Sequence, residues 1–164
     1  MILRRYKSSD CKILAELFYN TVHTVNTADY SEEQVSAWAD GNIDLSKWND
    51  SFLSHFTVIA EIDGVVAGFG DIDKTGYLDR LYVHSGYQRM GIGTALCDEL
   101  EHSVNAPKIF TYSSVTARGF FEKRGYKVVK EHQVIRHNVF LTNYLMELRL
   151  VNGESFSPEH KNRM

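Results

Sequence analysis

The sequence lacks most of the features that mark disulfide-rich, metal-binding and membrane proteins. Its two cysteines, Cys11 and Cys97, are far apart and form no CxxC pair. We therefore expect no disulfide framework and a reducing compartment. The seven histidines show no ligand spacing, so no metal site is expected. No run of about 18 apolar residues and no signal-peptide pattern is present, which predicts a cytoplasmic protein without a membrane partner.

An excess of positive charge is also missing. The 164 residues carry a net charge of −3, which argues against nucleic acid as a partner. The hydrophobic fraction of 43% and charged fraction of 24% are those of an ordinary globular chain. This length suits one domain. We expect that domain to span residues 1–150 and to be followed by a polar tail, residues 151–164.

Hydrophobic periodicity predicts the order β-αα-βββ-α-β-α-ββ. Apolar residues recur at helical spacing over residues 13–22, and Ser31 and Gln34 form a capping box for a second helix. A short helical turn is expected within residues 44–53. Asp63 and Gly64 stand between two β-rich runs, which indicates a hairpin. These elements predict an α/β fold, with a mixed, mostly antiparallel sheet flanked by helices.

Two glycines mark the most informative segment, "YQRMGIGTAL" at residues 87–96. Gly91 and Gly93 lie where a strand passes into an amphipathic helix, whose first N–H groups are free to bind an anion. The P-loop pattern is absent because no Lys-Ser/Thr pair follows. A dinucleotide fingerprint is absent because Leu96 replaces its third glycine. By itself, the glycine pair is better explained by a tight turn between strand and helix.

Two longer segments carry a family resemblance. "LYVHSGYQRMGIGTAL" resembles the acetyl-CoA signature of the GNAT family of GCN5-related N-acetyltransferases, Q/R-x-x-G-x-G/A after a hydrophobic strand, with Gln88, Gly91 and Gly93 at the motif positions. "SSVTARGFFEKRGYKVV" resembles the second signature of that family. "TVH…DYSEEQVSAWAD" is similar to a bacterial subgroup typified by YafP. The order of elements also matches, over residues 1 to about 150.

The resemblance implies a GNAT fold and an acetyl-CoA-dependent N-acetyltransferase without a metal. The acetyl group would pass directly to a primary amine of a small molecule or peptide, and dimers are common in the family, so a homodimer is one expected assembly. Leu81, Tyr82 and Val83 would pair through their backbones with the pantetheine arm. Ser114 would reach the pantetheine or the sulfur, and Phe121 completes the contacts. The expected pyrophosphate segment consists of Gln88, Arg89, Met90, Gly91, Ile92, Gly93 and Thr94.

Asp79 and Ser114 are the catalytic candidates. Asp79 precedes Leu81 by two residues, so strand alternation predicts both side chains on one face. The resemblance implies proton removal from the amine by Asp79, since the related aminoglycoside acetyltransferases have a glutamate at this place. An ion pair with its neighbours, or a cap at the strand end, is an equally good interpretation of this aspartate.

Phe121 departs from the family because many relatives have a tyrosine there as general acid. A thiol with a pKa of about 8.5 leaves readily without strong acid catalysis, and Tyr112, Ser114, Tyr126 or a water could substitute. The departure also supports a different hypothesis, a CoA-binding sensor or interaction module without turnover. His23, Tyr30 and Trp38 lie on the helices that wall the acceptor site in the family. Core and surface positions are the more common roles for such residues.

Overall fold

Two antiparallel sheets joined at one end form the frame of the protein. The structure, a computed structural model, describes residues 1–151 and 154–155. The helices are α1 (Cys11–Val22), α2 (Glu32–Trp38), α3 (Leu45–Ser54), α4 (Ile92–His102) and α5 (Arg118–Lys123). The strands are β1 (Ile2–Arg5), β2 (Phe56–Ile62), β3 (Val65–Ile72), β4 (Leu78–Val83), β5 (Lys108–Ser114), β6 (Lys127–Arg136), β7 (Val139–Val151) and β8 (Glu154–Ser155).

The predicted α/β class and order of elements are confirmed, with two additions. The expected helical turn within residues 44–53 is a full helix, α3, capped by the Asp44 carboxylate. The short strand β8 pairs with the end of β7. The remaining residues of the predicted tail, 152–153 and 156–164, lie outside the described residues. Within the described part of the chain, no helix has the length and apolarity needed to cross a membrane.

The local signals in the sequence explain two of the connections. Asp63 and Gly64 have φ values of 50° and 79°, the left-handed pair that a two-residue hairpin between β2 and β3 requires. The Ser31 hydroxyl accepts from the Gln34 N–H at 3.1 Å, and the Gln34 side chain accepts from the Ser31 N–H at 2.9 Å. Gln34 also donates to the Phe140 carbonyl, so the capping box ties α2 to β7.

The two sheets have the strand orders β1-β2-β3-β4 and β5-β7-β6. Their inner strands, β4 and β5, run parallel and meet at a single bridge between Tyr77 and Phe110. Beside it, the Thr111 hydroxyl donates to the Leu78 carbonyl at 2.8 Å. Beyond these contacts the strands separate, toward Val83 on one side and Ser114 on the other. The frame therefore opens into a cleft at the carboxyl ends of β4 and β5.

Helices cover both faces of the first sheet. On one face, α4 lies close to β3 because Gly68 and Gly70 have no side chain. A Cβ atom on Gly70 would lie 2.8 Å from the Leu100 side chain. On the other face, α1 and α3 pack around the fully buried Phe52 and Phe69. The close packing of α4 fixes the position of the glycine loop that precedes it.

Candidate active site

A cleft of about 550 Å³ occupies the opening between β4 and β5. Its walls come from β4, the start of α4, the end of β5 and the start of α5. All predicted site residues except Met90 line it: Asp79, Leu81, Tyr82, Val83, Gln88, Arg89, Gly91, Ile92, Gly93, Thr94, Ser114 and Phe121. The Met90 side chain is 56% exposed and does not line the cleft. The structure thus brings the sequence-predicted residues together.

The free edge of β4 presents backbone groups to this cleft. The His84 N–H donates to the Ala67 carbonyl at 2.8 Å, which makes these residues a hydrogen-bonded pair of the antiparallel ladder. Hydrogen-bonded pairs alternate with non-hydrogen-bonded pairs along an antiparallel ladder. Tyr82 therefore directs its backbone N–H and C=O groups toward β3, whereas Leu81 and Val83 direct theirs outward. The expectation that all three pair with the pantetheine is therefore wrong for Tyr82. An added strand would pair with Leu81 and Val83.

The glycine loop opens α4 with unsatisfied donors. Among the described residues, the backbone N–H groups of residues 91–94 have no acceptor. Gly91 has a φ of 79°, and a side chain there would meet nothing within 4 Å. Arg89 also adopts a left-handed φ, of 63°. Left-handed residues turn successive N–H groups into a concavity, and the helix dipole adds positive potential, so the loop suits an anion.

Gln88 and Gly93 hold this loop in place. The Gln88 side chain donates to the Val83 carbonyl at 2.6 Å, which fastens the loop to the end of β4. A Cβ atom on Gly93 would lie 3.3 Å from the Phe120 ring, so glycine lets α5 approach the start of α4. The His84 ring accepts from the Gly86 N–H and so closes the turn that follows β4. The loop geometry is thus set by its own sequence.

A second cavity, of about 630 Å³, lies on the far side of the same opening. Its walls come mainly from the segment 38–44 at the end of α2, from α3, from β4 and from the β6–β7 hairpin. Five side chains line both cavities: Trp38, Asp79, Tyr82, Tyr112 and Ser114. A group carried on an extended chain through the first cavity would therefore meet a molecule in the second cavity beside Asp79, Tyr112 and Ser114.

Asp79 occupies a β-bulge. Arg80 pairs with Asp71 and Leu78 pairs with Ile72, so Asp79 is an extra residue in β4. The expectation that Asp79 and Leu81 share a face is therefore wrong, because a bulge interrupts strand alternation. The Asp79 carboxylate lies beside Arg80 and near Asp71 instead. The bulge re-aims this carboxylate toward the second cavity.

A buried ion-pair network supports Asp79. The fully buried Asp71 carboxylate lies 2.8 Å from His55 and 2.9 Å from the Arg80 guanidinium. Arg80 also contacts Asp79, at 3.3 Å. Burial raises the pKa of the Asp79 carboxyl above its usual range, and the Arg80 charge opposes this shift. Asp71 raises the pKa of His55. One ring nitrogen of His55 and one carboxylate oxygen each of Asp71 and Asp79 lie within 4.8 Å of one another. Arg80 supplies positive charge beside this cluster.

This network was missed by sequence reasoning. One usable signal exists, since Asp71 stands on the inward-facing positions of the apolar run "VVAGFGDI". A carboxylate in such a place requires a buried partner. The partners themselves, His55 and Arg80, are 16 and 9 residues away, and no local pattern connects them.

The candidates for a proton donor differ in position. Phe121 is 3% exposed and packs on Tyr126. Tyr126 is also buried and donates to Glu101, on the core side, so it fills a core position. Tyr112 is 39% exposed and lines both cavities. The Ser114 hydroxyl accepts from a backbone N–H of the following turn and keeps its own proton free to donate.

Three residues were expected at the acceptor wall or in the core. Tyr30 and Trp38 line the second cavity. The Tyr30 hydroxyl donates to the Thr142 carbonyl and accepts from the Val115 N–H, so it also supports the wall. His23 hydrogen-bonds the Ala39 carbonyl and lines neither cavity.

Comparison with known proteins decides the family. The sequence model of the GNAT acetyltransferase domain matches residues 26–148. The chain belongs to this family. It is 31% identical to the uncharacterised N-acetyltransferase YafP of Escherichia coli (strain K12) over 148 residues, which cover 90% of this chain and 95% of that protein. The predicted family and its YafP-like subgroup are confirmed.

Solved structures agree with this assignment. A GCN5-related N-acetyltransferase from Rhodopseudomonas palustris superposes with a TM-score of 0.86 at 32% identity, covering 94% of this chain and 95% of that one. The PaiA N-acetyltransferase of Thermoplasma acidophilum, solved in complex with coenzyme A, superposes with a TM-score of 0.71 at 19% identity, covering 94% and 98%. The protein is thus a GNAT acetyltransferase, and the predicted GNAT fold is confirmed.

Proposed function

We propose that this acetyltransferase transfers the acetyl group of acetyl-CoA directly to a primary amine on a small molecule or peptide. The meeting of the two cavities at Asp79 carries the proposal. The first cavity fits CoA, because the free N–H groups of residues 91–94 suit its pyrophosphate, and the outward backbone groups of Leu81 and the outward N–H of Val83 suit its pantetheine. The second cavity then receives the amine.

Asp79 is the proposed base. A lysine-like amine with a pKa near 10.4 is almost fully protonated at neutral pH, so attack on the thioester requires removal of a proton. A carboxyl group whose pKa is raised by burial accepts that proton better than an ordinary carboxylate. Arg80, held by Asp71, keeps the carboxylate in place. Asp79 takes up the first proton of the ammonium group. The nitrogen loses a second proton as the amide bond forms and the C–S bond of the donor breaks, and that proton neutralises the departing thiolate.

The backbone of β4 supplies the other catalytic element. An outward N–H group of Leu81 or Val83 can donate to the carbonyl oxygen of the thioester, where negative charge develops. No side chain needs to protonate the departing sulfur, because a thiol is more acidic than a phenol. Phe121 in place of tyrosine is therefore compatible with turnover.

The test is a thiol-release assay across pH with a panel of amines. Asp79→Asn is expected to lower kcat/KM by about 10²- to 10⁴-fold, with the largest loss at low pH and with CoA binding retained. Asp50→Asn, which neutralises an exposed aspartate on α3, is the matched control. An unchanged pH profile for Asp79→Asn removes it from the mechanism. A wild-type protein that binds CoA but releases no thiol with any amine favours the sensor hypothesis instead.

The proton donor is tested separately. Tyr112→Phe and Ser114→Ala are each expected to retain most of the wild-type kcat. A variant of either residue that abolishes turnover while CoA affinity is unchanged would identify an essential acid and contradict this part of the proposal.

A further inference from the structure

The outer end of the second cavity differs from its inner end in charge. The inner end, shared with the CoA cleft, carries the Asp79 carboxylate. Lys47 and Arg136 line the outer end and are exposed. Within the described chain, no carboxylate lies within 4.0 Å of either cation. Arg80 is different, because Asp71 already neutralises it.

Two carboxylates at the same rim have other partners. Asp40 pairs with His137 at 2.9 Å and accepts from a backbone N–H. Asp44 accepts from the Lys47 backbone N–H at the start of α3. Both carboxylates keep their negative charge and are engaged in local hydrogen bonds. The Lys47 and Arg136 side chains have no such carboxylate partner among the described residues, so they can pair with an incoming carboxylate.

Between the two ends the cavity is apolar. Phe18 and Leu141 are buried, and Trp48 and Val134 are half-buried, on its walls. A volume of about 630 Å³ lies within the usual range for sites that take small organic ligands. These walls suit the body of an acceptor that carries opposite charges at its two ends.

The strand register gives the separation of those ends. Ser114 and His132 both pair with Asn143, so they lie in one row across the sheet. Arg136 is four residues further along β6, roughly 13 Å at about 3.3 Å per residue. Because β6 lies two strands from β5, roughly 10 Å at about 4.8 Å per strand, Arg136 lies roughly 16 Å from Ser114. An extended peptide of about three residues spans roughly 10 Å, and the arginine side chain covers the remainder.

We infer that the acceptor is a short peptide of two to four residues, whose N-terminal amine lies at Asp79 and whose free C-terminal carboxylate lies at Arg136 and Lys47. This inference rests on the proposed function. A single α-amino acid is too short to reach both ends, and a neutral amine uses only the inner end. Acceptors are thus distinguished by whether they carry a carboxylate at the end opposite the reacting nitrogen.

The experiment compares the tripeptide Leu-Gly-Gly with its C-terminal amide by thiol release at low and high salt. The free acid is expected to show about a three- to twentyfold higher kcat/KM, since exposed ion pairs are each worth under about 1 kcal/mol. The preference should shrink as salt rises. Arg136→Gln and Lys47→Gln should each reduce it, and Arg136→Glu should reverse it. Lys130→Gln, on the same strand but outside the cavity, should retain it.

Equal kcat/KM values for the acid and the amide, within twofold, would overturn the inference while leaving the proposed acetyl transfer intact. Turnover of neither peptide, with other amines still acetylated, would do the same. Absence of thiol release with every amine would overturn both. If Arg136→Glu still preferred the free acid over the amide, Arg136 and Lys47 would not be binding the peptide carboxylate, and the inference would be overturned.

Discussion

Replacement of Arg124 by methionine should destabilise the protein strongly. The Arg124 side chain is 9% exposed and lies 2.7 Å from the Glu101 carboxylate, which is 2% exposed. It also contacts Asp98 at 2.9 Å, but that carboxylate is 42% exposed and can be solvated. Arg124→Met therefore leaves Glu101 as a buried charge whose remaining partners include the Tyr126 hydroxyl.

The expected loss is about 3–5 kcal/mol, the usual effect of removing one partner of a buried ion pair. For a chain of this length, 1 kcal/mol lowers Tm by about 2–4 °C, so Tm should fall by about 6–20 °C. Thermal unfolding followed by circular dichroism measures this change. Lys108→Met is the control, because its pair with Glu147 is partly exposed and should contribute less than about 1 kcal/mol.

The double variant Arg124→Met with Glu101→Gln isolates the buried charge as the cause. Glutamine is neutral but still accepts the Tyr126 hydrogen bond, so the double variant should recover part of the lost stability. The reasoning is refuted if Arg124→Met costs no more than Lys108→Met, or if Glu101→Gln destabilises the double variant further.

Three further predictions concern the frame around the site. Because Asp71 raises the pKa of His55 in the fold above 6.5, the folded state holds more protons there. Stability should therefore fall as pH rises from 6.5 through the folded pKa, and urea titrations should show a smaller fall for His55→Gln; an equal fall would contradict this linkage. Gly70→Ala should lower the free energy of unfolding by about 1–3 kcal/mol through overpacking against Leu100, whereas an unchanged urea midpoint would mean that α4 shifts freely. Tyr30→Phe removes a hydroxyl with two backbone partners and should cost about 1–3 kcal/mol; a stabilised variant would be inconsistent with those bonds.

Some of the site could be predicted because its signals are local. The capping box of α2, the hairpin at Asp63 and the loop at Gly91 each depend on residues a few positions apart. Each is confirmed with the predicted geometry. The family signatures are of the same kind, because a glycine loop needs its glycines at fixed spacing from the helix that follows.

Other features depend on hydrogen-bond register between distant segments. Alternation counted along β4 placed Asp79 with Leu81, but one extra residue opposite β3 reverses this placement. Alternation alone also does not say which edge of β4 is free, so Tyr82 was assigned a backbone role that β3 occupies. The buried carboxylate of Asp71 requires paired cations, and it finds them in His55 and Arg80. Which residues fill this role depends on the tertiary structure.

The sequence by itself therefore determined the family, the order of elements and the anion-suited glycine loop before α4, since all three depend on short-range patterns. Only the tertiary structure decided where the second cavity, the proposed acceptor site, lies and which charges line it. Those charges come from residues 40–47, β4 and the end of β6. These segments are separated by up to about a hundred residues in the sequence. Their meeting depends on the divergence of β4 and β5, a property of the whole fold.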